Sequence, residues 1–333
     1  MKNFTYFRPT TAEQAVGLLE ATWGNTALLA GGTDLLDLQK EYIAQPGRVV
    51  SLGGIGALGG ITVEDKQVKI GAGTKLADIA AHADLRRLFP AVTDAAVQIG
   101  GPQIRNMGTL GGNLCQRNRC WYFRDEHVNC LLKGGARCFA LEGENKYHAV
   151  FTAGHRCVIV HPSTLAPALV ALGATIEVLG PRGRRTQEIG KFFHAPAGPG
   201  EREHTLAANE MVLSVTIPRR DLNNASYEIR QKQAYDWPLV QAAVAFEGGR
   251  GGANASNAVV VLGHVAPVPR VATAAATAVN GRAGSAETAT AAGRAATEGA
   301  KPLSQSQYKL RLIEVAVKRA LLIAAGGKRY WET

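Results

Sequence analysis

The sequence predicts an α+β protein, with a mixed amino-terminal region followed by a separate carboxy-terminal antiparallel sheet and its helices. Three observations predict it. Over the first hundred residues short apolar strands alternate with helical segments, joined by glycine-rich turns. After residue 210 strand patterns follow one another directly, and only then does helical periodicity return. The chain has 333 residues, 46% of them hydrophobic and 19% charged, which is enough for two or three domains with a packed core.

Each element has a local reason. In TAEQAVGLLEA (11–21) apolar residues fall at helical spacing, a threonine is available as cap, and Glu13 sits in the first turn. TALLA (26–30) reads as a buried strand stopped by GGTD, and RVVSL (48–52) as another. ITVEDKQVKIGAG (61–73) reads as a hairpin around Glu64 to Gln67, and TKLADIAAH (74–82) as a helix capped by Thr74. From 158 the order is strand VIV, proline turn, helix TLAPALVALG and strand TIEVLG. A Pro- and Gly-rich break at 195–200 precedes the strand MVLSVTIP (211–218), which Pro218 ends because it has no amide to donate. SYEIRQKQ, VQAAVAFEG and NAVVVLGHV then read as three antiparallel strands. The Ala-rich stretch 271–300 keeps a helical period and reads as two surface helices separated by NGRAG. YKLRLIEVAVKRALLIAA (308–325) is amphipathic, so its apolar face must dock. The breaks divide the chain at 1–55, 56–218 and 219–333, and a doubly wound sheet for the first half stays open.

No segment supplies the roughly 18 uncharged apolar residues of a membrane span, and MKNFTYFRPTTAEQ has no apolar h-region. The reading is of a soluble protein without its own export signal: cytoplasmic, or periplasmic if a signal-bearing partner carries it across. Lys and Arg exceed Asp and Glu by 37 to 27, giving a net charge of +10. The basic residues are scattered, with local clusters only at PRGRR (181–185) and along the last helix. That suits a solvated surface, a phosphate-bearing cofactor or an acidic partner better than nucleic acid. The histidines are scattered too, and no Ser-His-Asp arrangement is suggested, so no catalytic side chain is expected.

Two glycine loops stand out. LLAGGTDLLDLQK (28–40) puts Gly31 and Gly32 between a strand and a helix start, where the amides of Gly31 to Leu35 can converge on an anion. It is neither G-x-G-x-x-G nor a P-loop lysine motif, which disfavours Rossmann-type binding. IRNMGTLGGNL (104–114) again gathers amides, a hydroxyl and a carboxamide. Two such nests fit a ligand with two phosphates and a ribityl or ribose chain.

All five cysteines lie between 115 and 157, and an odd number argues against a disulfide framework. Cys120, Cys130, Cys138 and Cys157 supply four soft ligands of the kind a cubane iron–sulfur cluster takes at irregular spacing. Zinc sites normally show paired C-x(2–4)-C knuckles, absent here, although His127, His148, His155 or His161 could each replace a thiol. On the residues alone both metals stay open. Arg117, Arg119 and Arg124 read either as charges that raise the potential of an anionic cluster or as solvated loop residues.

AGGTDLL, IRNMGTLGGNL, HPST (161–164) and VLGHVAP (261–267), in order along nearly the whole chain, resemble the FAD-binding medium subunit of the molybdenum hydroxylases. That family includes xanthine dehydrogenase, carbon monoxide dehydrogenase, aldehyde oxidoreductase and 4-hydroxybenzoyl-CoA reductase. The resemblance implies a two-part flavin domain of the p-cresol methylhydroxylase type, followed by an α+β domain. It implies FAD as cofactor, with Ala30, Gly31, Gly32, Thr33, Asp34 and Leu35 at the pyrophosphate and Thr109, Gly112, Asn113 and Leu114 along the flavin and ribityl side. Ser163 would lie nearby and Leu213 near the isoalloxazine. The chain departs from the family at Thr164, where an Asp usually follows the Ser, and near Glu228, where a lysine is often found; both weaken a polar contact to flavin or acceptor.

In the simplest members GGNL runs almost directly into the segment that here is CVIVHPS, so residues 115–157 form an insertion. Members with such an insertion bind a [4Fe-4S] cluster, and similarity cysteine by cysteine implies Cys120, Cys130, Cys138 and Cys157 as ligands, with Cys115 spare. The implied function is electron transfer in a three-component enzyme. Substrate would be oxidised at a molybdopterin centre on a large partner, and electrons would pass through [2Fe-2S] centres of a small partner to FAD here and on to an external acceptor. Aldehydes come first as substrates, then aromatic N-heterocycles. The alternatives are an aromatic acyl-CoA reductase subunit, a stand-alone FAD oxidase with its own substrate cavity, and a colourless zinc scaffold.

Overall fold

The computed structural model describes residues 1–232 and 235–328. Near the amino end β1 (Thr5–Phe7), β2 (Thr26–Leu29) and β3 (Arg48–Ser51) form a parallel sheet in the order β1-β3-β2. Val49 and Val50 of the central strand are buried, as a strand covered on both faces requires. Thr11 caps the helix Ala12–Gly17, its hydroxyl accepting from the Gln14 amide at 3.2 Å. The helix stops short of residue 21 because it ends on glycine, a weak helix former.

Five strands follow: β4 (Ile61–Val63), β5 (Gln67–Gly71), β6 (Thr175–Gly180), β7 (Gly183–Glu188) and β8 (Met211–Pro218). Their order is β4-β5-β8-β6-β7 and every pair is antiparallel. Val215 and Ile217 of central β8, with Ile70 and Ile176 from its neighbours, pack against the helices Pro90–Gln98 and Leu165–Ala171 in one apolar core. The only parallel ladder among the described residues is the three-stranded one, so the doubly wound alternative is excluded.

Three local expectations change. The apolar run Val158–Val160 lies outside the named strands; the Val158 carbonyl instead accepts from the Ala149 amide at 3.0 Å, tying it to the cysteine-rich segment. Thr74 does not cap the helix Leu76–Ala81, because its hydroxyl donates to the Gly60 carbonyl at 2.9 Å. The basic cluster at 181–185 runs into edge strand β7, where Arg185 pairs with Glu210 at 2.8 Å.

The carboxy-terminal sheet contains β9 (Asn223–Arg230), β10 (Pro238–Gly248), β11 (Ala255–Gly263) and β12 (Arg270–Val271), antiparallel in the order β12-β11-β10-β9. The first of these ends at Arg230; Gln233, where the expected strand stopped, lies outside the described residues. Helices Thr273–Val279 and Ala286–Ala295 flank NGRAG as expected. The helix Tyr308–Ala324 lays Ile313, Ala316, Val317, Ala320 and Leu321 onto β9, β10 and the helix Ala286–Ala295. Each large aliphatic buried this way contributes about 1.5–3 kcal/mol. Among the described residues no helix is long and apolar enough to cross a membrane.

Candidate functional site

Where the parallel sheet meets the five-stranded sheet, a cavity of about 620 Å³ opens, within the roughly 300–1,000 Å³ that small-molecule and cofactor sites occupy. Both glycine loops line it. Ala30, Gly31, Gly32, Thr33, Asp34 and Leu35 form one wall, and Thr109 and Gly112 part of another. The first loop leaves β2 and turns at Gly32, whose φ of +76° favours glycine, into the helix Leu35–Lys40. In the second, the Thr109 hydroxyl accepts from the Gly112 amide at 3.2 Å and caps the helix Leu110–Cys115. The loops touch: a Cβ on Gly31 would stand 1.9 Å from the Met107 carbonyl oxygen.

Cations surround this cradle. Lys75 lines the cavity and donates from Nζ to the Met107 carbonyl at 3.0 Å; Arg117 and Arg202 line it as well. Burial, with Arg117 alongside, lowers Arg202 to about 10, which leaves it charged at neutral pH. A glycine cradle with no room for a side chain, ringed by basic groups, suits a dinucleotide's two phosphates. Local sequence gave no signal for Lys75, Arg117 or Arg202 here.

Four candidates lie behind the walls. Leu114 is in the apolar core, and Leu213 packs with Val50, Ile55 and Leu58 while its carbonyl accepts from the Ala72 amide at 2.9 Å. Ser163 donates to Asn113 Oδ1 at 2.6 Å and accepts from the Ala166 amide at 3.1 Å, so it holds Asn113 and the start of the helix Leu165–Ala171 together. Thr164 meets His264 Nε2 at 3.4 Å, and its carbonyl accepts from Gln241 Nε2 at 2.8 Å. Glu228, opposite Gln241 in the β9–β10 ladder, is pushed up to about 8 by burial despite Arg230 at 3.1 Å.

Arg117, Arg119 and Arg124 are not solvated loop residues, because each is paired with a carboxylate. Asp34 Oδ2 accepts from the Arg117 amide at 2.9 Å, while Oδ1 accepts from the guanidinium of Arg119 and from that of Arg124 at 2.7 Å. Arg124 also reaches Asp37 at 2.9 Å, and the Arg117 guanidinium reaches Glu203 at 2.9 Å. Buried carboxylates require such partners, and that demand fixes the arginines. Burial still pushes Asp34 upward, against Arg119 and the Arg117 amide. At Glu203, burial is more than offset by Arg117 and Asn118, and the carboxyl is held low.

Cys120, Cys130 and Cys157 gather in one apolar cluster with Phe123, Leu131, Leu132 and Ile159, and Cys138 stands beside it through a hydrogen bond with Cys157, whereas Cys115 packs in the core of the five-stranded sheet and lines the cavity. The Cys157 thiol donates to Cys138, and with the amides of Val158, Ala140 and Leu141 it brings Cys138 down to about 6 against burial. Cys157 is correspondingly raised. Burial raises Cys120 to about 12, opposed by the amides of Phe123 and Tyr122. Sulfurs met by several backbone amides in an apolar pocket suit thiolates bound to iron. Among the described residues no group of three or more His, Cys, Asp or Glu side chains is already arranged to hold a metal ion. Of the candidate histidines His148 meets a thiol, Cys120, at 3.2 Å, while His127 and His155 are exposed and His161 packs on Phe193.

Comparison with known proteins identifies the family. Residues 2–220 match the family model described as FAD binding domain in molybdopterin dehydrogenase, and residues 225–324 that of the CO dehydrogenase flavoprotein C-terminal domain. The chain is 34% identical over 273 residues to the aldehyde oxidoreductase FAD-binding subunit PaoB of Escherichia coli, covering 81% of this chain and 83% of that protein. It is 27% identical over 324 residues to the carbon monoxide dehydrogenase medium chain of Hydrogenophaga pseudoflava, covering 96% of each. The solved structure of carbon monoxide dehydrogenase from that organism superposes with a TM-score of 0.75 over 98% of both chains, at 27% identity. Two opposed glycine loops, the α+β architecture and these matches lead to one conclusion: the chain belongs to the FAD-binding medium subunits of the molybdenum hydroxylase family and is an FAD-binding oxidoreductase subunit.

Proposed function

We propose that this chain is the electron-transferring subunit of a three-component molybdenum hydroxylase, and that it carries a [4Fe-4S] cluster beside its FAD. A large molybdopterin-binding subunit would oxidise the substrate, and a small [2Fe-2S] subunit would deliver the electrons, which leave through FAD to an external acceptor. Bound FAD supplies the redox chemistry. The chain's own residues fix its position: the amides of Gly31 to Leu35 with Lys75, Arg117 and Arg202 at the phosphates, and Thr109, Gly112 and Asn113, held by Ser163, on the flavin side.

The observation that carries the reading is that Cys120, Cys130 and Cys157 share one apolar cluster, with Cys138 hydrogen-bonded to Cys157, while the segment bearing Cys120 also walls the cavity through Gln116, Arg117 and Phe123. Backbone amides on the sulfurs of Cys120, Cys138 and Cys157 support iron ligation there. Aldehydes are the favoured substrates, in line with the name of the PaoB relative. The division at 1–55, 56–218 and 219–333 keeps this unit within the first two parts, and the compartment is cytoplasmic, or periplasmic after export with a partner. The test is anaerobic purification of Cys130→Ser and Cys115→Ser. Cys130→Ser loses the iron–sulfur spectrum and Cys115→Ser keeps it; the reverse result overturns the ligand assignment.

A further inference from the structure

Asp34 closes the glycine turn and stands as N-cap of the helix Leu35–Lys40, yet its side chain makes no capping bond to that helix. An aspartate at this position ordinarily accepts from its own helix amides. Here the carboxylate is turned outward and is spent on the thiol segment: the Arg117 amide at 2.9 Å, the Arg119 guanidinium, and Arg124 Nη2 at 2.7 Å. Those donors bracket Cys120. Arg119 precedes it directly, and Arg124 ends the single helical turn Trp121–Arg124 that Cys120 caps. Arg124 is pinned at every nitrogen, by Nε to the Asn118 carbonyl at 3.0 Å, by Nη1 to Asp37 at 2.9 Å and by Nη2 to Asp34. Asn118 in turn accepts from the Cys120 amide at 3.1 Å and donates from Nδ2 to buried Glu203 at 2.7 Å. Little slack separates the Cys120 sulfur from the loop that cradles the phosphates.

We propose that the cysteine pocket and the FAD loop form one linked binding unit, with Asp34 as the positioning residue through which occupancy of either site tightens the other. The proposal rests on the cluster reading above. Its physical basis is twofold. Ligation of Cys120 fixes the backbone that orients Arg117, Arg119 and Arg124. Those donors then hold the Gly31–Leu35 loop in shape and neutralise a carboxylate that would otherwise repel an anionic ligand. Linkage makes the effect reciprocal: whatever factor the cluster adds to FAD affinity, FAD adds to cluster affinity.

The experiment measures FAD binding to the full chain by equilibrium dialysis, iron-loaded and iron-free, with iron counted separately. Wild type binds FAD about tenfold more tightly when loaded, inside the roughly 5- to 150-fold range of ordinary couplings. In Asp34→Asn that ratio falls toward one, while iron uptake persists because no thiol has been touched. Arg124→Gln weakens FAD in both states, and adding Asp34→Asn to it restores part of the loss, because the uncompensated carboxylate is gone; a merely structural role for Arg124 would give no such rescue. A wild-type chain that takes up iron yet binds FAD equally well with and without it overturns the linkage alone. An undiminished ratio in Asp34→Asn overturns the role of Asp34. A chain that takes up no iron overturns the cluster reading, and the linkage with it.

Discussion

Replacing Gly31 by alanine tests the cradle at its tightest point. The added Cβ would lie 1.9 Å from the Met107 carbonyl oxygen and 2.5 Å from its carbon, whereas ordinary contact begins at 3.4 Å. The obstruction is backbone, and that backbone is held by Lys75 Nζ at 3.0 Å, so no flexible side-chain end can swing away. The two loops must separate by about 1.5 Å, at a cost of about 1–3 kcal/mol for overpacking. If that cost falls on the bound geometry, FAD binds about 5- to 150-fold more weakly. Flavin fluorescence titration of the deflavinated chain measures it, with thermal unfolding as the check on folding. Gly17→Ala is the control, since a Cβ there meets nothing within 4 Å. A Gly31→Ala chain that is folded and binds FAD as tightly as wild type refutes the two-loop cradle.

Acid should unfold the protein cooperatively. Burial holds His161 at about 4 and His204 and His264 at about 3, so only the unfolded chain takes up protons as pH falls below about 6.5. Stability is therefore lost through that window, by on the order of 3 kcal/mol per histidine at pH 4; circular dichroism against pH should show it, and a flat profile from 6.5 to 4 contradicts it. Lys309 gives the complementary slope at high pH. Buried, with Nζ donating to the carbonyls of Tyr147 at 3.0 Å and His264 at 2.9 Å, it is lowered by burial to about 7 from 10.5, so stability rises as pH climbs between those values. Denaturant titrations of Lys309→Met should lose that rise. Ser163→Ala removes the acceptor of the Ala166 amide and the donor to Asn113, and should cost about 1–2 kcal/mol in chemical denaturation; an unchanged midpoint would contradict its holding role.

The strands β2, β3 and β8 and the glycine turns were readable because their signals are local: apolar runs bounded by Gly or Pro, and a hydroxyl where a helix begins. Edge strand β7 was not, since GRRTQE carries no apolar alternation and takes its shape from pairing with β6. VIV misled because a fully buried apolar run reads alike as strand or connector. The tie from Asp34 to Arg117, Arg119 and Arg124 crosses more than eighty residues, and the cavity's Lys75 and Arg202 arrive from separate elements. No periodicity encodes such charge pairing; it emerges when burial forces each carboxylate to find a cation.

The proposed function requires one chain to hold a flavin and an iron–sulfur cube side by side. Anaerobic purification of the full chain, with its visible spectrum and its iron and flavin contents, tests this most directly. About one flavin and about four irons per chain is the predicted outcome, and flavin without iron, or zinc in its place, would contradict it.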